Sequence, residues 1–470
     1  MTDWAATPLK QRLAVLRRAR HTLAARVDEF ADLVRGPADD GSGRRPADTI
    51  AAEVLPLCAA IQFLQRRAAR ILRPQKLGLS GRPSWLLGVR GRITRQPLGR
   101  VLILGTWNYP VFLTGVQAMQ ALAAGNGVVV KPGNDCEAVT RTLSELLHEA
   151  GLPQGLLHVL DDSAETGRAA VAAGFDHVVL TGSAETGRRV LRAAAETLTP
   201  CTVELSGSDA VLVDADADLD RTAGCVAFGL TFNGGATCIA PRRLFVIDSV
   251  ADTLLQKIEA AVRPVAVPPA LLETSRPLID EAVAAGAVRR TVGDYAADGP
   301  ANGGTDGGAS PVTILDRCEP SMRLLRSDVF APVLAVVRCR NVADILKKVS
   351  ACPYALGASV FGSDASLQTV PAGCVTVGDV IVPTADPRVP FGGHGQSGYG
   401  VTRGPEGLSA MTRPKVLLRR HGRMLPHLDP PHETDADLLG GAAQTLYGDW
   451  RTRWRGLRRA VAAGRQRSRK

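Results

Sequence analysis

Apolar residues recur along the chain with the spacing of helices first and of buried strands later. Between residues 8 and 35 arginines lie on much of one helical face, and the opposite face carries Leu9, Leu13, Leu16, Leu23 and Val27. This pattern is typical of an amphipathic surface helix. A Gly-, Pro- and Asp-rich stretch at 36–43 interrupts it, and the Ala- and Leu-rich residues 47–72 predict a second helix.

Between Arg100 and Lys131 the chain carries no charged residue. A run of this length is long enough for a transmembrane helix, so a membrane span is one interpretation. The run is punctuated, however. Val101–Leu104 is an apolar run of strand length, a Gly- and Pro-containing loop follows it, a helix-like stretch reaches Ala124, and a second strand begins at Val128. The segment therefore predicts a buried strand–helix–strand unit rather than a membrane span.

The same alternation continues beyond residue 131. A helix is expected over 135–150, a strand over 156–160 and another over 177–180, the last running directly into Thr181-Gly-Ser-x-x-x-Gly187 and a helix. A glycine-bearing strand-to-helix turn is either a plain helix cap or a site for a phosphate group. After a series of strand–helix units the dinucleotide site is the better interpretation, and the fold class is α/β. Further along, a Gly-, Asp- and Ala-rich surface loop is expected at 294–311, followed by strands at 312–315 and 333–337.

Composition and charge narrow the class of protein. The 470 residues allow two to four domains, and with 45% hydrophobic, 22% charged and only 4% aromatic residues the core must consist mainly of Ala, Val and Leu. Nine scattered cysteines without a Cys-x-x-Cys pair argue against a disulfide framework and against a zinc site. No secretory signal is evident, so we expect a cytoplasmic protein.

The net charge of +10 is concentrated at the C-terminus. From Arg419 to Lys470 there are twelve Arg and Lys against five Asp and Glu, so the rest of the chain is nearly balanced and gives no sign of a nucleic-acid-binding surface. Residues 444–463 predict a basic helix that carries Trp450 and Trp454. This tail is either a solvated extension or a weak contact for an anionic surface, membrane or nucleic acid.

Two residues stand out as candidates for chemistry. Cys238 lies among small residues, after the Gly234-Gly235 pair. Such a cysteine is either a packed core residue or a nucleophile whose charge is stabilised by nearby backbone N–H groups. Glu204 interrupts an otherwise apolar strand at 202–205 and is either an ion-paired structural carboxylate or a general base whose pKa is raised by partial burial.

Seven motifs follow one another along the chain. They are Gly105-Thr-Trp-Asn-Tyr-Pro110, Ala124-Gly-Asn126, Lys131-Pro132, Leu180-Thr-Gly-Ser183, Thr199-Pro-Cys-Thr-Val-Glu-Leu205, Phe232-Asn-Gly-Gly-Ala-Thr-Cys-Ile-Ala-Pro241 and Pro390-Phe-Gly-Gly393. In this order they make the chain resemble the NAD(P)-dependent aldehyde dehydrogenase superfamily. Their wording is most similar to class 3, the branch that acts on fatty and aromatic aldehydes. The resemblance covers roughly residues 8 to 418.

The resemblance implies an aldehyde dehydrogenase-like α/β fold in a homodimer. It places a Rossmann-type dinucleotide-binding domain at 1–82 and 99–205 and an α/β catalytic domain at 206–393. A small β oligomerisation element is expected at 83–98 with 394–418, and the basic tail occupies 419–470.

The resemblance also implies the oxidation of an aldehyde to its carboxylic acid. Cys238 would attack the aldehyde carbon, the side-chain amide of Asn108 and the backbone N–H of Cys238 would bind the resulting oxyanion, and Glu204 would activate the water that hydrolyses the thioester. NAD or NADP would be the cofactor, and no metal is implied. The cofactor-binding residues would be Lys131, Gly182, Ser183, Gly187, Asp328 and Phe330.

Three positions depart from the usual family pattern. Asp328 stands where glutamate is common and is one methylene shorter, and Ser206 replaces a glycine after Glu204. Asn134 replaces a glutamate whose carboxylate would bind the adenosine ribose and repel a 2′-phosphate, so NADP stays open.

The altered cofactor motifs and the added tail keep a catalytically weak scaffold or binding subunit in view. A CoA-acylating dehydrogenase is a further alternative, because the thioester could be attacked by a thiol instead of water. The retained Glu204 favours hydrolysis. The residues expected to line a largely apolar substrate pocket are Tyr109, Phe112, Phe228, Thr237 and Ile239.

Overall fold

The computed structural model describes residues 2–35, 44–86, 88–292, 309–422 and 425–467. Its α-helices are α1 Thr2–Ala6, α2 Leu9–Ala25, α3 Val27–Arg35, α4 Pro46–Thr49, α5 Leu55–Ile71, α6 Phe112–Ala124, α7 Glu137–Glu149, α8 Ala164–Ala172, α9 Ala184–Glu196, α10 Leu219–Thr231, α11 Asp248–Ala261, α12 Pro269–Ala284, α13 Val342–Val349, α14 Gly404–Ala410, α15 Asp435–Tyr447 and α16 Trp450–Arg467.

The strands follow the alternation with helices that the sequence predicts over 100–205. They are β1 Gln75–Leu77, β2 Val89–Pro97, β3 Arg100–Leu104, β4 Gly127–Lys131, β5 Leu157–Val159, β6 His177–Gly182, β7 Cys201–Leu205, β8 Asp209–Val213, β9 Pro241–Ile247, β10 Val265–Ala266, β11 Val288–Val292, β12 Ala309–Ser310, β13 Val312–Asp316, β14 Val333–Cys339, β15 Tyr354–Ala355, β16 Gly357–Phe361, β17 Cys374–Val377, β18 His394–Gly395, β19 Gly398–Tyr399 and β20 Thr412–Arg420.

The first large sheet has six strands in the order β19-β7-β6-β3-β4-β5. Five of these strands run parallel to one another, namely β7, β6, β3, β4 and β5. Val101 of β3 lies opposite Val128 of β4 on one side and His177 of β6 on the other. Strand β19 pairs antiparallel with β7. Central strands covered by helices must be apolar on both faces, and Val101 to Leu104 are all buried. The predicted strand–helix–strand unit at 100–131 is confirmed as β3, α6 and β4, so this segment is not a membrane-spanning helix.

The second large sheet has seven strands in the order β11-β13-β14-β9-β8-β16-β17. Its strands run parallel except for β11, which pairs antiparallel with β13. The strands predicted at 312–315 and 333–337 are confirmed as β13 and β14. Most of the Gly- and Asp-rich loop expected at 294–311 lies outside the described residues. Two mainly parallel sheets confirm the α/β fold class.

The N-terminal helices differ in detail from the predicted pair. The helix expected over 8–35 is divided into α2 and α3 at Arg26, whose backbone leaves helical geometry. Residues 46–71 form one continuous helix in which a π-helical turn at Ile50–Val54 joins α4 to α5. Within the described residues this is the one helix long and apolar enough to cross a membrane by composition. Its side chains Leu57, Ile61 and Leu64 are fully buried in the core.

The chain divides into two compact units, one of Met1–Gln75 with Ile93–Val416 and one of Lys76–Arg92 with Leu417–Lys470. The larger unit contains both large sheets. In the smaller unit α15 and α16 form an antiparallel hairpin, because Gly441 faces Ala460 and Gln444 faces Gly456. The single basic helix expected over 444–463 is therefore wrong in its bounds. The helix breaks at Gly448-Asp449, where the Asp449 carboxylate accepts a hydrogen bond from the Thr452 N–H and begins α16.

Candidate active site

Cys238 lies in the connection between α10 and β9. After α10 the backbone enters the left-handed region at three successive residues, Asn233, Gly234 and Gly235. A Cβ atom on Gly235 would lie 2.9 Å from the backbone nitrogen of Pro332, so only glycine allows this close approach. The turn brings the half-buried Cys238 to the wall of a cavity. This supports the structural part of the prediction, in which the Gly-Gly pair lets backbone pack closely near the thiol.

Asn108 follows β3 and is held against the cysteine loop. Its side-chain Oδ1 accepts a hydrogen bond from the Thr106 hydroxyl at 2.6 Å, and its Nδ2 donates to the Ala236 carbonyl oxygen at 2.9 Å. The backbone carbonyl of Asn108 also accepts a hydrogen bond from Asn233 Nδ2 at 3.0 Å. Because an amide nitrogen has two hydrogens, Nδ2 keeps one for a ligand while the first fixes its position two residues before Cys238.

Glu204 occupies the fourth position of β7, opposite Thr181 on one side and Gly398 on the other. Its side chain is fully buried; Oε2 accepts a hydrogen bond from the Thr402 hydroxyl at 3.3 Å, and Oε1 has no partner among the described residues. Burial raises the pKa of Glu204, and the positive charge of Arg403 and the Thr402 hydrogen bond partly oppose that rise. A buried carboxyl with one open oxygen and a raised pKa is suited to proton transfer.

Glu204, Cys238 and Tyr109 border one cavity of about 120 Å³ in the larger unit. Most of its wall is apolar. The remaining side chains around it are Ala51, Ala52, Pro56, Phe112, Leu113, Phe232, Thr237, Ile239, Ile381, Val382, Thr384, Ala385, Phe391 and Arg403. Of the pocket residues expected from the sequence, Phe228 does not line the cavity; it packs on the ring of Phe232, which does, at 4.8 Å between ring centroids.

Burial raises the pKa of the Cys238 thiol well above its ordinary value, and the negative charges of Glu204 and Asp209 add to the effect. Arg403 and the backbone N–H of Cys238 act in the opposite direction. The ligand-free thiol is therefore protonated at neutral pH. A nucleophilic Cys238 needs a base in the same cavity, and Glu204 meets that requirement.

Arg403 is a residue that the sequence analysis missed. It lines the cavity, is only 4% exposed, and has a φ of 60°, which is strained for a residue with a side chain. Its guanidinium lies 4.1 Å from the centre of the Phe391 ring, Nη1 donates to the Thr384 carbonyl at 2.6 Å, and Nε has no partner among the described residues. It is the cation that most opposes the rise in the pKa of Glu204. Arg403 follows a glycine-dense stretch, and nothing in the sequence around it indicates that its side chain lines the cavity.

A buried ion pair that supports Asn108 was also missed. The Glu53 carboxylate, in the π-helical turn of residues 46–71, accepts hydrogen bonds from the N–H groups of Val111 and Phe112 at 2.6 and 3.2 Å, at the start of α6. Arg44 Nη1 donates to Glu53 at 2.5 Å and to the Asn108 carbonyl at 3.3 Å. The negative charge at a helix N-terminus is favourable, and the pair fixes the loop that carries Asn108.

The predicted phosphate-binding turn joins β6 to α9. Ser183 is the N-cap of α9, and its hydroxyl oxygen accepts a hydrogen bond from the Thr186 N–H at 3.2 Å. Gly187 lies inside α9, where a Cβ atom would meet the Leu205 side chain at 2.6 Å. The packing of α9 on β7 therefore requires glycine at position 187. Gly182 and Ser183 lie at the N-terminus of α9, where the backbone N–H groups of the first turn would face a phosphate.

Lys131, Asp328 and Phe330 have features that fit a cofactor. Lys131 ends β4, and burial lowers its pKa while Asp161 and Asp162 act in the opposite direction. Burial raises the pKa of Asp328 to about 6, and its Oδ1 is buried without a partner among the described residues. The Phe330 ring lies 6.1 Å from that of Trp107, between ring centroids. An orphaned carboxylate oxygen and a partly desolvated lysine are groups that a bound ribose would satisfy.

The described ranges contain no group of three or more His, Cys, Asp or Glu side chains that would hold a metal ion.

Comparison with known proteins places these features in a family. Residues 1–417 match the aldehyde dehydrogenase family. The chain is 28% identical to "4,4'-diapolycopene aldehyde oxidase" of Methylomonas, over 98% of this chain and 87% of that protein. It is 30% identical to a Mycobacterium bovis protein named "Putative succinate-semialdehyde dehydrogenase (NADP+) 2", over 92% of this chain and 83% of the relative.

A solved structure with a similar fold is the Mycobacterium tuberculosis aldehyde dehydrogenase complexed with NAD+. It superposes with a TM-score of 0.79 and 26% sequence identity, over 90% of this chain and 88% of that one. The resemblance predicted from the ordered motifs is thus confirmed, and the chain belongs to the aldehyde dehydrogenase family of NAD(P)-dependent oxidoreductases.

Proposed function

We propose that Cys238, Asn108 and Glu204 together oxidise an apolar aldehyde to its carboxylic acid, in the cavity that Cys238 and Glu204 border. The observation that carries the proposal is that the Cys238 thiol and the buried Glu204 carboxyl, whose Oε1 has no partner among the described residues, line one apolar cavity. Sequence-distant residues, from β7 and from the α10–β9 connection, converge there, and Asn108 is hydrogen-bonded to the latter.

In the first step Glu204 accepts the thiol proton and the Cys238 sulfur attacks the aldehyde carbon. A C–S bond forms, and the carbonyl oxygen becomes an oxyanion that accepts hydrogen bonds from the free hydrogen of Asn108 Nδ2 and from the Cys238 backbone N–H. Asn108 needs no reorganisation for this role, because Thr106 and Ala236 already hold its amide group at both ends. A fixed donor stabilises developing charge better than a mobile one.

A bound nicotinamide cofactor would supply the hydride acceptor that this oxidation requires, and loss of the hydride from the tetrahedral carbon would leave a thioester on Cys238. Gly182, Ser183 and the N-terminus of α9 would hold the pyrophosphate, Lys131 the adenosine ribose, and Asp328 the nicotinamide ribose through its open Oδ1. Phe330, with Trp107 behind it, would limit movement of the nicotinamide ring.

Before the last step Glu204 releases the thiol proton to solvent, which is the proton that the overall oxidation yields. The deprotonated Glu204 then removes a proton from water, which attacks the thioester carbon. The C–S bond breaks, the acid leaves, and the sulfur is protonated again. The raised pKa of Glu204 suits this exchange, because a base whose pKa lies nearer to neutrality both accepts and returns a proton readily. Arg403 is a positioning residue here: its positive charge opposes the rise in the pKa of Glu204 and so favours the deprotonated carboxylate.

The cavity wall favours aldehydes with aliphatic or aromatic bodies. Three aromatic side chains, Tyr109, Phe112 and Phe232, contribute to it. Arg403 is the cation in the wall, but its guanidinium is already stacked on Phe391 and bonded to Thr384. A carboxylate on the substrate would have to compete with these contacts and with Glu204 for the charge of Arg403, so a semialdehyde that carries a carboxylate should be a poorer substrate.

We propose that NAD+ is preferred to NADP+. Asn134 lacks the carboxylate that repels a 2′-phosphate, but negative charge is supplied nearby by Asp161 and Asp162, which act on Lys131. The Asp162 carboxylate accepts a hydrogen bond from the Asp135 N–H at 2.7 Å, which holds it beside the turn that contains Asn134. A 2′-phosphate at Lys131 would have to share that cation with two carboxylates.

The test is an initial-rate screen that follows NAD(P)H formation with aldehydes of rising chain length, benzaldehyde and succinate semialdehyde, each with NAD+ and NADP+. The proposal expects kcat/KM to rise with apolar length, succinate semialdehyde to be poor, and NAD+ to be the better acceptor. Addition of coenzyme A distinguishes hydrolysis from acyl transfer, since only the latter yields an acyl-CoA. Absence of turnover with every aldehyde would favour a scaffold subunit instead.

The oligomeric state and the compartment remain proposals. We propose a homodimer in the cytoplasm, and light scattering of the purified chain measures the first directly.

A further inference from the structure

Helix α16 has two unlike faces. The face toward α15 consists of small residues: a Cβ atom on Gly456 would lie 2.5 Å from the Gln444 Cβ, and one on Gly441 would lie 2.5 Å from the Ala460 nitrogen. Glycine at both positions lets the two helices pack at close range without large side chains. The large apolar residues of α16 are consequently not used to hold the hairpin together.

The large apolar residues form a stripe on another face of α16. Residues spaced by four, three and four positions lie along one side of a helix, and this side carries Trp450, Trp454, Leu457 and Val461. Their exposed fractions are 68%, 62%, 43% and 46%. Gly456 and Ala463, the buried positions of the same helix, fall about a third of a turn away. Four large apolar side chains in a row therefore face solvent.

The same helix is strongly basic. Its 18 residues include seven arginines and no acidic residue. Arg459 and Arg467 pair with Asp437 and Asp435 of α15. At 100° per residue Arg451, Arg455, Arg458 and Arg465 lie along one edge of the apolar stripe. The Arg451 guanidinium is 5.2 Å from the centre of the Trp450 ring.

We propose that this face of α16 docks onto an anionic lipid bilayer, with the helix lying in the headgroup region. Tryptophan is favoured at a membrane–water interface, leucine and valine enter the acyl boundary, and arginines beside the stripe meet the lipid phosphates. Seven arginines exclude a membrane-spanning helix of this length. The contact is peripheral, and it is independent of the proposed aldehyde oxidation.

Charge and polarity favour a bilayer over the other partners of such a surface. Two copies of this helix would bring arginines together without a compensating carboxylate on either, so a self-complementary contact is disfavoured. Nucleic acid offers phosphates to the arginines, but its charged backbone has no counterpart for a continuous Trp-Trp-Leu-Val stripe. A bilayer with anionic headgroups supplies partners for both.

The primary test is sedimentation of the full chain with vesicles. Phosphatidylglycerol–phosphatidylcholine vesicles should bind it at low salt, vesicles of phosphatidylcholine alone should bind it far less, and added salt should weaken the binding. R451Q/R455Q/R458Q should bind about 100-fold more weakly, since each arginine near an anionic surface contributes about 1 kcal/mol. The matched control R66Q/R67Q/R70Q removes three exposed arginines from α5 and should bind like the wild type.

Tryptophan fluorescence tests the apolar half of the surface. Brominated lipids should quench part of the wild-type emission, and W450F/W454F should lose that quenching while still sedimenting with vesicles. W450Q/W454Q should lose both. Circular dichroism identifies any variant that fails to fold. Quenching of the wild-type emission tests the insertion of the tryptophans even if a variant does not fold.

Three results would overturn the proposal. One is equal binding to anionic and neutral vesicles, and another is the same loss of binding in the α5 control as in the α16 variant. The third is a wild-type protein that does not bind anionic vesicles; a preference for duplex DNA would then identify nucleic acid as the partner, and a change of oligomeric state in W450Q/W454Q would identify a second copy of the chain.

Discussion

The bond-making region and the cofactor region of the larger unit are built differently. Glu204 and Asn108 are buried, and the Asn108 amide is held by two hydrogen bonds. Asn134 and Ser183 are exposed, and Asp328 has a buried oxygen without a partner among the described residues. The bond-making groups are therefore held in position before the substrate binds, whereas the cofactor-binding groups have hydrogen bonds that only the ligand completes. Preorganisation of this kind matters most where charge develops in the transition state.

The largest effect should come from the thiol. Cys238→Ala should lower kcat by roughly 10⁴-fold or more, because no other group forms the covalent intermediate. NAD(P)H formation measures it. The control is Cys225→Ala, a half-buried cysteine in α10 outside the cavity, which should stay near the wild-type rate. Appreciable turnover without Cys238 would separate the chemistry from this region altogether.

Glu204→Gln should lower steady-state kcat by about 10²- to 10⁴-fold, the usual contribution of a general base. Glutamine keeps the shape and the Thr402 contact but cannot take a proton from water. A stopped-flow measurement should still show NAD(P)H released in a slow first turnover, with the acyl group retained on the protein in mass spectrometry. Loss of turnover without accumulation of the acyl group would assign Glu204 to activation of the thiol alone.

Asn108→Ala should lower kcat by about 10²- to 10³-fold, as expected when one donor to an oxyanion is removed. The effect should fall on kcat more than on KM, since the hydrogen bond strengthens in the transition state. Thermal unfolding of the same variant reports the separate cost of losing the bonds to Thr106 and Ala236. An effect confined to KM would remove Asn108 from the bond-making group.

Arg403→Met tests whether the buried positive charge of Arg403 lowers the pKa of Glu204. Glu204 acts as a base when it is deprotonated, so the rate rises with pH through its pKa, and Arg403 lowers that pKa. Without the arginine the rising limb of kcat/KM should move to higher pH, by about one unit, with a loss of about tenfold at neutral pH.

Arg403→Lys should restore most of the shift in the pH profile, because a lysine keeps the charge. Arg388→Met, in an exposed pair with Asp386, is the control. An unchanged pH profile in Arg403→Met would leave the arginine with a purely structural role.

The smallest effects should lie in the cofactor region. Asp162→Asn should improve kcat/KM for NADP+ about fivefold relative to NAD+, because the half-buried Asp162 carboxylate contributes about 1 kcal/mol to the repulsion of a phosphate. Asn134→Glu should shift the ratio by a similar amount toward NAD+. Initial rates with NAD+ and with NADP+ measure this ratio. A ratio that neither substitution changes would contradict the proposal that charge at Asp162 and at position 134 sets the cofactor preference.

Much of the fold was predictable because its signals are local. The uncharged run at 100–131 folds as β3, α6 and β4, and the strands at 312–315 and 333–337 are present. Where local signals were weak, the prediction failed: the division at Arg26 and the break at Gly448-Asp449 depend on single residues within otherwise helical patterns.

The motifs of the sequence determined the family, the α/β class and the candidates Cys238, Asn108 and Glu204. Only the tertiary structure decided what surrounds them. Arg403, the Arg44–Glu53 pair and the orphaned oxygen of Asp328 come from distant parts of the chain, and no spacing in the sequence marks them. The physical reason is that desolvation and charge act through space, so a pKa or an unsatisfied atom is a property of the packed neighbourhood rather than of a motif.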